Sequence, residues 1–271
     1  MSGIEILREY RRTNGPIQAA IFDFDGTIST LRCGWEEVML PLMVEMIGAP
    51  SGQVAEITQL ASAYIDASTG IQTIHQMIWL RAQAARFGYR QSMDEWEYKA
   101  EYNRRLMCHI QARIDAVESG AAAAEDFMIA GAGAFLSALR AHGVALYLAS
   151  GTDHADVARE AALLGVAEQF TLIMGAPAHE IACSKEAVIR QTIAERNIPA
   201  ENLALIGDGK VEIALGAACG AFALGTATDE TARFGVNKVK RERLRNAGAH
   251  AIVGDFRNAE GLLGLLLQVG A

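Results

Sequence analysis

From Val144 onward, short apolar runs alternate with helical stretches, and that alternation confines the chain to a narrow class of folds. The runs predict strands at 144–149, 170–173, 202–206, 221–224 and 251–253, with helices near 155–164, 185–196 and 211–218. Strands buried on both faces read as near-continuous apolar runs, and the helices between them supply the two covering layers. The expected architecture is an α/β fold built on a parallel sheet. One more apolar run, Ala19-Ala20-Ile21-Phe22, lies far upstream and supplies a further strand.

Between that first strand and the alternating region the texture changes. Residues 31–125 contain no convincing strand. Thr69-Gly70-Ile71-Gln72 and Ser92-Met93-Asp94-Glu95 fit the spacing that opens a helix with a capping box. Ile71, Ile74 and Ile78 then recur at helical intervals, and Phe87-Gly88 supplies a stop. Trp96, Met107, Ile110, Ile114 and Val117 mark a long helix, and Pro41 kinks or delimits an earlier one. Ser119-Gly120-Ala121-Ala122 reads as a return linker. The chain is thus expected to form a sheet domain from residues 1–30 and 126–271, with a helical insert between them.

Four stations along the sheet domain carry chemistry. The first is Asp23-Phe24-Asp25-Gly26-Thr27, directly after the Ala19 run. Residues i and i+2 of a strand share a side, so Asp23 and Asp25 emerge together at a sheet edge, where open α/β sheets bind ligands. Such a pair can hold Mg²⁺, or one carboxylate can attack while the other moves protons; a simple Asp-Gly turn is the bland alternative. The second station is Ser150-Gly151-Thr152, a strand-end hydroxyl followed by glycine and a helix. It can donate to phosphoryl oxygens beside backbone N–H groups, or Thr152 or Asp153 can simply cap the helix. Lys185 is the third, placed by Ser184 in a first helical turn. A cation there opposes the helix dipole, which suits an anion-binding role as well as a solvated surface. The fourth is Gly207-Asp208-Gly209-Lys210-Val211-Glu212, a strand end that sets Asp208 about one turn before Glu212. Asp208 can ligate a metal there with Glu212 in support, or it can cap the helix.

Composition limits the partners. A net charge of −8 argues against nucleic acid, which is met with basic patches. It also means that a phosphate site must build its own positive field from a metal, a lysine and helix N-termini. No apolar run approaches the ~20 residues that span a bilayer, and residues 1–14 lack a signal-peptide core. Cys33, Cys108, Cys183 and Cys219 are scattered without a CxxC pair, as in reduced thiols of a cytoplasmic protein.

In their order, DxDGT, a strand-end Ser, a Lys and GDxxxE resemble the haloacid dehalogenase-like hydrolase superfamily, and the insert is similar to its helical C1 cap. The resemblance implies a Rossmann-like core and Mg²⁺-dependent phosphoryl transfer through an aspartyl-phosphate, on a small phosphorylated metabolite such as a sugar phosphate. It implies Asp23 as nucleophile and metal ligand, and Asp25 as general acid/base whose backbone carbonyl also meets the metal. Thr27, Ser150 and Gly151 are then phosphoryl-binding, Lys185 neutralises charge on Asp23 and the phosphoryl group, and Asp208 completes the protein ligands. Glu212 stands where many relatives carry Asp, which leaves it a supporting role. A phosphomutase shares this core chemistry, and a non-catalytic binding protein of the same fold is the non-enzymatic alternative. Haloacid dehalogenases need no acid at the position of Asp25. Phosphonate hydrolases typically add a cap lysine, and Lys99 is the insert's only one.

Other residues are assigned by position. Arg32 and Trp35 enter the insert just after the first station and can face the substrate; pairing of Arg32 with Glu36 and packing of Trp35 inside the insert are the alternatives. His142 is expected at a helix end and His154 at an exposed helix start. Trp79 and Trp96 are assigned to the insert's core, and the basic run 238–245 to a solvated helix face.

Overall fold

The computed structural model describes residues 3–10, 12, 15–88, 93–180 and 185–267. Its frame is one seven-stranded sheet: β1 (Ile4–Ile6), β2 (Ala19–Phe22), β3 (Ala145–Asp153), β4 (Leu172–Ala176), β5 (Leu203–Gly207), β6 (Phe222–Thr226) and β7 (Ala251–Val253). The order is β1-β7-β6-β5-β2-β3-β4. All neighbours are parallel except β1, which adds antiparallel to β7 with Ile4 opposite Val253.

The central strand shows how sequence sets layers. Ala20 and Phe22 of β2 enter one hydrophobic cluster, with Phe135, Leu136 and Leu139. Ala19 and Ile21 enter another on the opposite face, with Leu203, Leu205 and Ile189. Adjacent residues of a strand point to opposite sides, so a strand apolar at every position must be covered twice.

Helices supply both covers. Four precede the second half of the sheet: α1 (Trp35–Ile47), α2 (Val54–Ala67), α3 (Thr73–Phe87) and α4 (Glu95–Glu118). The others are α5 (Ala132–Ala141), α6 (His154–Leu163), α7 (Lys185–Arg196), α8 (Lys210–Cys219), α9 (Lys238–Ala247) and α10 (Ala259–Leu267). Among the described residues no helix is long and apolar enough to cross a membrane.

The helices α1–α4 form a cap with a core of its own. Tyr98, Tyr102, Leu106, Ile110 and Ile114 are buried every fourth residue along α4, and they meet Met39, Leu42 and Met77 from α1 and α3. An i, i+4 stripe of this kind keeps one helix face against its neighbours.

Several local expectations are revised. The Thr69–Gln72 capping box does not form; α3 begins at Thr73, and Gln72 makes no side-chain cap bond. Ser92 lies outside the described residues. The box at the start of α4 is made instead by Asp94 and Glu97, the spacing shifted by two residues. Pro41 lies inside α1 rather than ending a helix. The strand read at 144–149 continues to Asp153 with an irregularity after Ala149, so Ser150-Gly151-Thr152 lies in extended chain. Trp79 stacks on Tyr64 at 4.0 Å within the cap. Trp96 instead turns outward, 4.9 Å from the ring of His179. His142 Nδ1 lies 2.8 Å from the Ala138 carbonyl at the end of α5, and His154 opens α6 in an exposed position.

Candidate active site

The site sits where β2, β3 and β5 end side by side. After Phe22 the chain turns at once: the N–H groups of Ile28 and Ser29 both donate to the Phe24 carbonyl. Gly26 takes a positive φ of 72°, and a Cβ there would lie 2.4 Å from Asp208 Oδ2. Only glycine permits that turn and that approach.

Asp23 is buried and accepts from the Phe24 N–H at 2.8 Å. Asp23, Asp208 and Glu212 converge, each offering one carboxylate oxygen within 4.8 Å of the others. All three are buried. Three hard oxygen donors around one point fit a magnesium ion. Neither Asp208 nor Asp153 serves as a side-chain helix cap. Gly209 precedes α8, and Glu212 Oε1 reaches back to its N–H at 2.7 Å.

The carboxylate of Asp25 lies outside that trio. Its Oδ2 accepts from Thr152 Oγ1 at 2.8 Å and from Ser150 Oγ at 3.4 Å. Its Oδ1 is buried without a hydrogen-bond partner, 3.9 Å from Arg32 Nε. Two carboxylates two residues apart are thus held in different surroundings, one among acids and one among hydroxyls.

Thr27 is placed differently from expectation. The tight turn carries its hydroxyl beneath the site, where it meets Thr226 Oγ1 at 3.2 Å. It is fully buried and does not line the cavity. Lys185 opens α7, but its side chain lies outside the described atoms, as does Ser184.

Arg32 lines the cavity yet is already committed. Its Nη2 donates to Glu160 Oε1 at 2.6 Å, its Nε lies 3.1 Å from both Glu160 oxygens, and Asp156 Oδ2 is 3.4 Å away. Burial opposes charge on the guanidinium, but the bonds and charges of Glu160, Asp25 and Asp156 prevail and hold its pKa above the ordinary value. Burial raises the Glu160 carboxyl, with Arg32 opposing. Glu36 is not the partner. Trp35 fills both roles open to it, packing on the cap core while lining the cavity.

The largest departure lies in the basic run. Helix α9 is not a wholly solvated face: Lys240 points inward, its Nζ 2.7 Å from Asp208 Oδ2 and bonded also to Glu230. Burial works against its charge, but Asp208 and Glu230 outweigh it and keep the ammonium protonated. Arg243 reaches the Asp208 carbonyl at 3.4 Å and Asp66 of α2 at 3.5 Å, tying core to cap. No spacing rule reaches from Asp208 to Lys240.

The cap closes over these groups. Thr69, Gly70, Ile71, Thr73, Gln76, Tyr102 and Leu106 line the cavity above Asp23 and Asp25. The loop 68–72 packs tightly against the sheet ends. A Cβ on Gly151 would lie 2.9 Å from the Ile71 carbonyl oxygen, so glycine is required for close backbone approach. Lys99 is elsewhere, paired with Asp153 and 5.4 Å from the Trp96 ring.

A family model described as haloacid dehalogenase-like hydrolase matches residues 17–220. No curated protein sequence matches the chain. Many solved structures share the fold. A predicted phosphatase from Clostridium acetobutylicum is 18% identical at a TM-score of 0.60, with 92% of this chain and 99% of that one covered. A predicted phosphoglycolate phosphatase from Haemophilus somnus 129PT is 13% identical at 0.61, with 92% and 99% covered. A β-phosphoglucomutase from Clostridium difficile is 15% identical at 0.60, with 89% and 92% covered. At these identities the structures speak for the fold, while the family match spans most of the chain and includes all four motif stations. The chain belongs to the haloacid dehalogenase-like hydrolases.

Proposed function

We propose that this hydrolase is a Mg²⁺-dependent phosphatase acting on a small phosphorylated metabolite of the sugar-phosphate kind in the cytoplasm, through an aspartyl-phosphate. The proposed lid comprises residues 31–125 and the proposed catalytic core the remainder. The observation that carries the reading is the separation of Asp23, inside an acidic trio, from Asp25, hydrogen-bonded to Thr152 and Ser150.

Asp23, Asp208 and Glu212 would hold the ion, which when bound neutralises phosphoryl charge and orients the ester. Asp23 then attacks phosphorus as the bond to the ester oxygen breaks. Asp25 gives its proton to the departing oxygen and later takes one from the water that cleaves the aspartyl-phosphate. Thr152 and Ser150 fix the Asp25 carboxyl for both transfers. Ser150, Gly151 and Lys185 are assigned to the phosphoryl oxygens, and the cap excludes bulk water. Lys99, bonded to Asp153 outside the cavity, gives no support to phosphonate cleavage through a lysine adduct.

Purified protein is expected to hydrolyse p-nitrophenyl phosphate in the presence of Mg²⁺ and to stop when the ion is chelated. Turnover that persists unchanged in chelator, or no turnover of any phosphate ester with Mg²⁺ present, would remove this reading.

A further inference from the structure

Building on the phosphatase reading, we propose that the cavity selects phosphate monoesters whose leaving group carries no negative charge, and that Glu160 and Glu230 enforce the selection. Recognition of a carboxylate or a second phosphate on the leaving group needs a cation free to meet it, most effectively a guanidinium or ammonium. Apart from Arg32, none of the described cap residues lining the cavity is a cation: Trp35, Ile71, Tyr102 and Leu106 are apolar or aromatic, and Thr73 and Gln76 are neutral. The Tyr102 phenol is buried, and burial holds it protonated.

Of the described cations close to the site, Arg243 lies off the cavity lining, against the Asp208 carbonyl and Asp66, and acids neutralise the other two. Arg32 lines the cavity, but its Nε and Nη2 are directed to the fully buried Glu160 and to Asp156. Lys240 is bonded to Asp208 and Glu230. Arg32 and Lys240 are each matched by at least two carboxylates, and Glu230 itself lines the cavity. A further anion beyond the phosphoryl group would meet carboxylates that outnumber these two cations, a penalty felt strongly in a half-desolvated site. The start of α3 offers only the partial charge of backbone N–H groups, which serve a hydroxyl as readily as an anion. The phosphoryl end has its own provision in the acidic trio and its ion, so the selection falls on the leaving group alone.

Three two-carbon monoesters isolate the effect: 2-hydroxyethyl phosphate, phosphoethanolamine and phosphoglycolate share the phosphoryl group and differ in the far end. With Mg²⁺, kcat/KM for the first two should exceed that for phosphoglycolate by about tenfold or more. Glu160→Gln, which frees donors of Arg32, and Glu230→Gln, which removes the lining charge, should each shrink the ratio. Because the substrates share one chemistry, the ratio cancels general losses, and either folded variant suffices if the other does not fold. Phosphoglycolate turned over as well as the neutral ester overturns the inference, as does a ratio unmoved in the folded variants. If p-nitrophenyl phosphate is cleaved while phosphoglycolate is preferred, the charge selection alone fails. If no ester is cleaved, both it and the phosphatase reading fail.

Discussion

Lys240 acts as an internal counter-ion at the heart of the site, and removing it exposes what it balances. In Lys240→Met, Asp208 and Glu230 face each other without a cation, and breaking a buried pair in this way costs about 3 kcal/mol. Added Mg²⁺ meets the same acidic neighbourhood, so the variant's melting temperature should rise more steeply with Mg²⁺ than the wild type's. A deficit that stays constant across a Mg²⁺ titration in thermal unfolding would contradict the counter-ion role. The acids of the site were legible because each follows an apolar strand at short spacing: Asp23 and Asp25 two apart, Asp208 and Glu212 one turn apart. Lys240 was not, since its neighbours Lys238 and Arg241 share its charge and only the folded chain shows which of them points inward. Arg32 was placed at the cavity from its position in the chain. Its partner Glu160 lies 128 residues away, beyond the reach of any local pattern.

Among the elements, the loop between α2 and α3 decides how the cap meets the core. Its sequence imitates a helix start, but Gly70 approaches the Gly209 Cα so closely that a Cβ would lie 3.2 Å from it. Tertiary contact thus wins over local capping. Gly151 is the matching point on β3. Gly151→Ala must push the Ile71 carbonyl away, because the obstructing atom is backbone rather than a yielding side chain. Displacing the lid by even a fraction of its contact distance should lower kcat/KM by about tenfold to a hundredfold, with the melting temperature changed little. Steady-state kinetics with unfolding of the same samples checks this; full activity would show that the loop need not seat. Helix α4 was legible from Ile110 and Ile114. Helix α5 carries an i, i+3, i+4, i+7 spacing at Ala132, Phe135, Leu136 and Leu139, diluted by small residues that blur an apolar stripe.

At the scale of the whole molecule, the sheet was legible where its strands are apolar throughout, and illegible at its edge. Ile4-Glu5-Ile6 is too short to announce a strand, and it becomes one only by adding to β7. That edge is sealed by His250, whose Nδ1 accepts from the Ala223 N–H at 3.0 Å and whose ring packs on Tyr10 and Phe222. Burial, with Arg8 nearby, lowers its pKa below the ordinary histidine value. The unfolded chain therefore binds the proton more readily, so stability is full above the unfolded pKa and falls as pH drops from about 6.5 toward the folded value. Wild-type protein should lose more of its melting temperature between about pH 7 and pH 5 than His250→Asn does. Parallel losses in the two proteins would place the acid sensitivity elsewhere.

The central claim is that Asp23 itself takes the phosphoryl group. Borohydride reduces an acyl phosphate to the alcohol, so quenching the enzyme during turnover with Mg²⁺ and substrate, then mapping its peptides by mass, reads the acceptor directly. Homoserine is expected at position 23, absent without substrate and absent in a folded Asp23→Asn protein that has lost turnover. Homoserine at another aspartate, or Mg²⁺-dependent turnover retained by Asp23→Asn, would contradict it.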